Sequence, residues 1–467
     1  MIPMSLAEIA SVTAGSVNGD PDRVVTGPVV IDSRRAEPGG LFAALPGEHA
    51  DGHDFAEAAV AAGAAAVLCS KPVPVPHVLV SDVSQALAAL ARAVLGKLPG
   101  LVTVGITGSS GKTSTKDLTA SLAERLGPTV APEGSLNNEL GLPLTVLRAC
   151  RDTRYLVLEM SARGVGHIAW LCGVAPPKIG AVLNVGRAHV GEFGSLEAVA
   201  VAKGELVEAL PPDGVAILNA QDPRVLGMAA RTQARVVTFA VDQPAAEPVV
   251  AADFRAADVW LDELARPSFT LVTPSGTALV RMRMHGAHHV TNALAAAAIA
   301  AELGMSATDI AAGLSEATVR SKWRMELRER GDGVLVINDA YNANPDSVRV
   351  AIDALRHLSG DSVRGFAVLG YMAELGDTAE ASHAEVGQLV ARAGLAGVVA
   401  VGEGARPVLD GARAVPGWQG EAIWVPDNGA AVEALRSRLQ PSDVVLVKAS
   451  RVAALWEVAA GLLAEVS

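Results

Sequence analysis

Residues Thr107 to Ser114 read Thr-Gly-Ser-Ser-Gly-Lys-Thr-Ser and continue from the apolar run Val102–Thr107. The run predicts a strand, and Leu118, Leu122 and Leu126 behind the loop share one face of a helix closed by Gly127-Pro128. Gly108 and Gly111 let backbone N–H groups of the loop, with Ser109, Ser110 and Ser114, turn inward around phosphate oxygens, and the helix start adds partial positive charge. Lys112 can neutralise β and γ phosphates, and the Thr113 hydroxyl can hold Mg²⁺. Ile106 stands where the full phosphate-loop consensus has its first glycine, so the motif is a shortened one. A plain Gly-Ser turn is the bland alternative, but strand, glycines, lysine and helix all agree on an ATP site. The chain has no Asn-Lys-x-Asp guanine motif, which disfavours GTP. Tyr155–Leu158 predicts a second strand ending in Glu159, a carboxylate rather than the more usual Asp beside a phosphate-bound metal.

Other residue types suit chemistry less specifically. Ser195 can cap a helix whose apolar stripe is Val199, Leu206 and Leu210, and Lys203 falls on that same face. An inward lysine loses pKa on burial and becomes a nucleophilic neutral amine; the alternative is a lysine reaching from the stripe edge to water. His189 alone reads as a loop or core histidine, Asn292 as a helix-start residue and Arg324 as a surface cation. Asp339, Tyr341, Asn342 and Asn344 follow the predicted strand Val334–Asn338, where open α/β sheets place ligands, although Asn-Ala-Asn-Pro is equally a turn. Asp32-Ser33-Arg34 is a turn with a cation suited to a diphosphate. Gly402-Glu403-Gly404 is half a dinucleotide fingerprint and reads as a loop.

These residues need a scaffold, and the chain has one to offer. At 467 residues about three domains are expected. Apolar β-rich runs alternate with alanine- and leucine-rich stretches, which predicts parallel α/β layers. Further strands are expected at Ile179–Val185, Val215–Asn219, Phe366–Gly370, Val398–Val401 and Val444–Val447, with a long helix over Asn292–Leu303. Between Asp242 and Met284 the pattern changes, and Phe269–Thr273 with Val280–Met284 predicts an antiparallel hairpin. Leu98-Pro99-Gly100 and the segment around Thr318–Arg324 read as joints. An apolar share of 50% excludes disorder, while a net charge of −12 with 3% aromatics argues against a nucleic-acid polymer as partner. Cys69, Cys150 and Cys172 show no metal spacing and are taken as structural, in keeping with a reducing, cytoplasmic location. The N-terminal residues lack a signal-peptide pattern, and Ala58–Cys69 is too short to span a membrane, so no membrane insertion is expected.

Taken together, the motifs resemble the Mur ligases of peptidoglycan synthesis along essentially the whole chain. The phosphate loop, Asn137-Asn138-Glu139-Leu140-Gly141-Leu142-Pro143, Glu159, Asn184 to His189, Lys203-Gly204-Glu205, Gly286-Ala287-His288, Asn292 and Arg324 are similar to the family's central ATPase domain. Lys448-Ala449-Ser450-Arg451 resembles its C-terminal Lys-Gly-Ser-Arg. Asn338 to Pro345 and Leu369 to Gly376 are similar to the dipeptide-adding branch, and the Asp-Asn-Pro-Arg mark of the diamino-acid-adding sister is missing. Asp32-Ser33-Arg34, Gly39-Gly40-Leu41-Phe42 and Asp51 to Phe55 resemble the nucleotide-sugar domain. Tyr371 stands where Asp is common in the family, and His289 where Asn often stands.

The resemblance implies three α/β domains: a small UDP-MurNAc-peptide domain at 1–99, a central P-loop-type ATPase domain with a mostly parallel sheet at 100–324, and a Rossmann-like domain at 325–467 for the incoming dipeptide. It implies a monomer that uses ATP to join D-Ala-D-Ala to UDP-MurNAc-tripeptide through an acyl phosphate. Two Mg²⁺ are implied, one on Thr113 and Glu159 and one on His189 and a carbamoylated Lys203. Lys112, Glu159, His189 and Lys203 are then catalytic, and Asn292, Arg324 and Asp339 contact the nucleotide. Asp32, Ser33, Arg34, Asn137, Asn138, Tyr341, Asn342, Asn344, Lys448, Ser450 and Arg451 are the implied substrate contacts. A sister ligase, or in another class a P-loop kinase or nucleotide-gated binding module, is the alternative.

Overall fold

A computed structural model describes residues 1–47, 50–187, 190–242, 251–360 and 362–464. Three α/β bodies follow one another along the chain. In the first, five short strands lie in the order Ser16–Asn18, His77–Leu79, Ala66–Cys69, Leu41–Ala43 and Val29–Val30, parallel except for the first pair. The Ala58–Cys69 run splits between the helix Ala56–Ala61 and one of these strands.

The second body is a nine-stranded sheet. Its order is Gly276–Arg281, Pro267–Thr273, Phe254–Leu261, Arg235–Val241, Val215–Asn219, Ile179–Val182, Val102–Thr107, Tyr155–Glu159 and Thr129–Val130. All pairs are parallel except the two at the hairpin end. Val102–Thr107 therefore lies between the strands ending at Val182 and Glu159, so the loop after Thr107 emerges with a carboxylate on one side and Asn184 on the other. Helices Lys112–Glu124 and His288–Glu302 cover one face, the second with an almost unbroken run of buried alanines.

The third body has six strands, in the order Glu326–Glu329, Leu335–Asn338, Val444–Lys448, Gly365–Leu369, Gly397–Val401 and Glu421–Val425, parallel except for the first pair. The helix Pro345–Ser359 starts at Asn344, whose side chain accepts from Ser347 N at 2.9 Å while Ser347 Oγ accepts from Asn344 N at 3.0 Å.

Two expectations need correction. The second arm of the hairpin is Gly276–Arg281, not Val280–Met284, because Thr273 pairs with Gly276 across a two-residue turn. Met282 and Met284 owe their alternation to burial in the central core instead. The helix expected from Asn292 begins a turn earlier, at His288, which buries both His289 and Asn292. Among the described residues no helix is long and apolar enough to cross a membrane.

Candidate functional site

A cleft of about 530 Å³ opens where the second and third bodies meet, and most of the chemistry-bearing residues line it. Its floor is the phosphate loop. Gly111 holds φ at +80°, and a β-carbon there would collide with Asn292 Oδ1, so helix His288–Glu302 approaches the loop more closely than another residue would permit. Ser109 N donates to Asn184 O at 3.1 Å and Ser110 N to Asn184 Oδ1 at 2.9 Å, which braces the loop on the neighbouring strand end. Lys112 Nζ rests on Gly108 O at 2.7 Å. Burial lowers the Lys112 pKa from its ordinary value, against the pull of Glu159 and with help from Arg324.

Thr113, in the first turn of helix Lys112–Glu124, and Glu159, at the end of its strand, converge. Thr113 Oγ1 donates to Glu159 Oε2 at 2.9 Å, and Asn137 Nδ2 donates to Glu159 Oε1 at 2.6 Å. Ser135 Oγ is 3.0 Å from Thr113 Oγ1. Arg324 Nη2 reaches both hydroxyls, at 3.0 and 3.3 Å, and its guanidinium lies 4.1 Å over the Tyr341 ring. A buried carboxylate, two hydroxyls and an amide make an oxygen-rich donor set suited to Mg²⁺, which keeps waters and takes further ligands from phosphates. Among the described residues no three His, Cys, Asp or Glu side chains form a metal cage.

The opposite wall comes from the third body. Lys448 is buried, and its Nζ lies 2.5 Å from Asp339 Oδ2 and 2.8 Å from Asn342 O. Burial lowers the Lys448 pKa, while Asp339 opposes the shift. Asp339 Oδ1 also accepts from Met325 N at 3.1 Å. Ser450 Oγ accepts from Ala373 N at 2.9 Å, and Arg451 lies 5.7 Å over Tyr341. Asn344 lines the cleft while its side-chain oxygen Oδ1 caps the helix behind it.

Several buried polar atoms on the wall have no hydrogen-bond partner among the described residues: His288 Nδ1, both ring nitrogens of His289, Asn292 Nδ2 and Arg324 Nε. Desolvation lowers the His288 pKa to about 4, with Asp339 opposing and Lys448 assisting, and takes His289 well below 6.5. Unsatisfied groups of this kind cost stability unless a ligand meets them, so this edge fits a polar planar base.

Lys203 does not line the cleft. It sits on helix Leu196–Glu208, 3% exposed, and among the described residues its amine has no hydrogen-bond or ion-pair partner. Burial, then the charge of Lys112, lowers its pKa well below the usual lysine value. Ser195 caps this helix by accepting from Ala198 N at 3.1 Å. His189 lies outside the described residues. Asn138 Oδ1 accepts from Gly141 N at 2.9 Å, in the turn that leads into helix Gly141–Val146.

Asp32, Ser33 and Arg34 stand apart from the cleft on an exposed turn of the first body. Arg34 Nη2 is 2.7 Å from Asp32 Oδ2, which holds the Asp32 pKa down to about 2. Arg35, next along, pairs with Glu133 at 3.6 Å, in the loop that carries Ser135. Ser135 and Glu374 both line the cleft without having been singled out from the sequence. Each lies within or beside a motif that was, Asn137-Asn138 and Leu369 to Gly376; proximity to those motifs was the only signal.

Comparison with known proteins gives this architecture a family. Residues 28–95 match the Mur ligase family catalytic domain, 106–300 the Mur ligase middle domain and 323–451 the Mur ligase glutamate ligase domain. The chain is 48% identical to the UDP-N-acetylmuramoyl-tripeptide--D-alanyl-D-alanine ligase of Mycobacterium tuberculosis, covering 100% of this chain and 98% of that protein. It is 36% identical to the Escherichia coli protein of the same name, over 99% of each chain. Among solved structures, MurF from Acinetobacter baumannii matches with a TM-score of 0.87 at 31% identity, over 99% of each chain. MurF ligase from Thermotoga maritima, in complex with ADP, matches at 0.79 and 29% identity over 94% of this chain and 97% of that one. The chain belongs to the Mur ligase family.

Proposed function

We propose that the protein joins D-alanyl-D-alanine to UDP-N-acetylmuramoyl-tripeptide, converting ATP to ADP and phosphate by way of an acyl phosphate. The end-to-end similarity to proteins of that name supports the substrates. The observation that carries the chemistry is the convergence of Lys112, Thr113 and Glu159 with Arg324 from the joint and Lys448 from the third body on one cleft.

Amide formation from a carboxylate is uphill because oxide leaves so poorly; a phosphorylated carboxylate loses phosphate readily when an amine attacks. Carboxylate and γ-phosphate are both anions and must be brought together. Lys112 and Arg324 offset that repulsion, and the N–H groups of Gly111, Lys112 and Thr113 at the helix start orient the phosphates, since those of Ser109 and Ser110 are engaged by Asn184. Thr113 and Glu159 would hold Mg²⁺, which adds positive charge at the transferring phosphoryl group. His288, His289 and Asn292 meet the base, and Asp339 the nucleotide's far side. Residues 1–99 hold the nucleotide sugar, 100–324 the ATP and 325–467 the dipeptide, with Tyr341, Asn342, Asn344, Ser450 and Arg451 facing it. All three bodies come from one chain, so we take the enzyme to act as a monomer, and its ATP dependence suits a cytoplasmic location.

Lys203, buried with no partner among the described residues and low in pKa, has the neutral amine that reacts with carbon dioxide; its carbamate would hold a second Mg²⁺ with His189. Intact-mass measurement in bicarbonate should show a species heavier by one carbon dioxide that Lys203→Ala lacks; no such heavier species in the unsubstituted protein, or the same adduct in both, would count against it.

The function is tested by supplying ATP with the UDP-tripeptide, with D-Ala-D-Ala, and with both. Product and stoichiometric ADP should appear only with both. ADP release indifferent to the dipeptide would indicate a kinase or simple ATPase instead.

A further inference from the structure

Lys116 and Asp117 lie one turn into helix Lys112–Glu124, behind the phosphate loop, and have no part in the chemistry above. Neighbours on a helix point about 100° apart and do not normally pair. Here Lys116 Nζ lies 2.5 Å from Asp117 Oδ1, and both residues are buried, at 2% and 8% exposure. Each also holds something else. Lys116 Nζ donates to Pro132 O at 2.9 Å, in the loop that carries Ser135 and Asn137. Asp117 Oδ2 accepts from Ser321 N at 3.1 Å, three residues before Arg324.

Past Ser321 the chain changes allegiance. Trp323 stacks on Trp456 of the third body at 4.4 Å and 8°, Trp323 O accepts from Tyr341 N at 3.3 Å, and Met325 N donates to Asp339. Trp323 and Met325 hold φ at +61° and +50°, a conformation that non-glycine residues adopt only when their surroundings impose it. Ser321 is thus anchored to the phosphate-loop helix and Trp323 to the third body, with Lys322 between them.

We propose that Lys116 and Asp117 are positioning residues: together they clamp the joint so that the chain pivots at Lys322 and Arg324 stands over Thr113. The clamp couples the nucleotide loop to the placement of the third body. It rests on reading Arg324 as a nucleotide contact.

The test is a double-mutant cycle on the full chain, read by ADP binding in calorimetry. Ser321→Pro removes the donor to Asp117 and leaves the Lys116–Asp117 pair intact; Asp117→Asn, nearly the same shape, is the second route. Arg324→Ala should weaken ADP about tenfold or more, and Ser321→Pro by a similar factor. The double variant should bind no worse than Arg324→Ala alone, within about twofold, because one change acts through the other. KM for the UDP-tripeptide should stay unchanged, which a general loss of structure would not allow. Effects that multiply, or wild-type ADP affinity in both Ser321→Pro and Asp117→Asn, would overturn the clamp alone. Wild-type affinity in Arg324→Ala would overturn the nucleotide reading of Arg324 and this inference with it.

Discussion

The two joints of this chain are built from different materials. Between the first and second bodies, Leu87, Leu90 and Val94 of helix Val83–Gly96 share one buried cluster with Leu142, Val146 and Leu147. Between the second and third bodies, no buried apolar cluster spans the contact among the described residues. That contact is polar. Arg187 reaches Asp346 at 3.2 Å and Glu385 at 2.6 Å, Gly191 N donates to Glu374 O at 3.2 Å, and the Arg324 guanidinium lies 4.1 Å over the Tyr341 ring. An apolar joint loses its stabilisation if it opens, whereas partly exposed ion pairs exchange protein partners for water at little cost. On this contrast the first body is the more firmly fixed to the second, and the third body is the one expected to swing. A cleft that opens to admit ligands and closes to exclude water needs that asymmetry.

The largest way to break the contrast is a charge in the apolar joint. Leu87→Asp should destabilise the first two bodies together by more than about 4 kcal/mol, seen as a lost or sharply lowered thermal transition. Acid comes next. His288 stays neutral in the fold down to about pH 4, while its unfolded form takes a proton near 6.5. Stability should therefore fall as pH drops from 6.5 to 4 and stop falling through this group below that, by up to about 3 kcal/mol. His288→Gln should lose that part of the slope in urea titrations at successive pH values; an unchanged slope would argue against a buried neutral imidazole.

Arg324→Ala, in the polar joint, should cost about 10²-fold in kcat/KM with little change in melting temperature. A matching collapse of the fold would instead make Arg324 structural. Smallest is Arg187→Ala, expected to change stability by less than about 1 kcal/mol per lost pair while loosening the third body. Small-angle scattering should then show larger dimensions without ligands, and raised salt should move the wild-type protein the same way. Equal dimensions in all conditions would erase the distinction between the joints.

The sheets were legible because their strands are short apolar runs with abrupt ends; Val102–Thr107 and Val215–Asn219 fall where the sequence put them. The phosphate loop was legible for a similar reason, since glycines, lysine and helix start are all local. What escaped depends on contacts distant in sequence. Nothing local pairs Lys116 with Asp117 against helical geometry, or ties Asp117 to Ser321. The pattern of Met282 and Met284 looked like a strand because burial on a core also alternates. Arg34 carried a charge suited to a diphosphate, yet only the fold shows that charge bound to Asp32.

The central claim is that the tripeptide's terminal carboxylate is activated by phosphorylation in this cleft. It is tested most directly by labelling that carboxylate with ¹⁸O and analysing the phosphate released during ligation. One labelled oxygen should pass to each phosphate, because the acyl–oxygen bond is the one that breaks. Product formed with unlabelled phosphate would contradict the account.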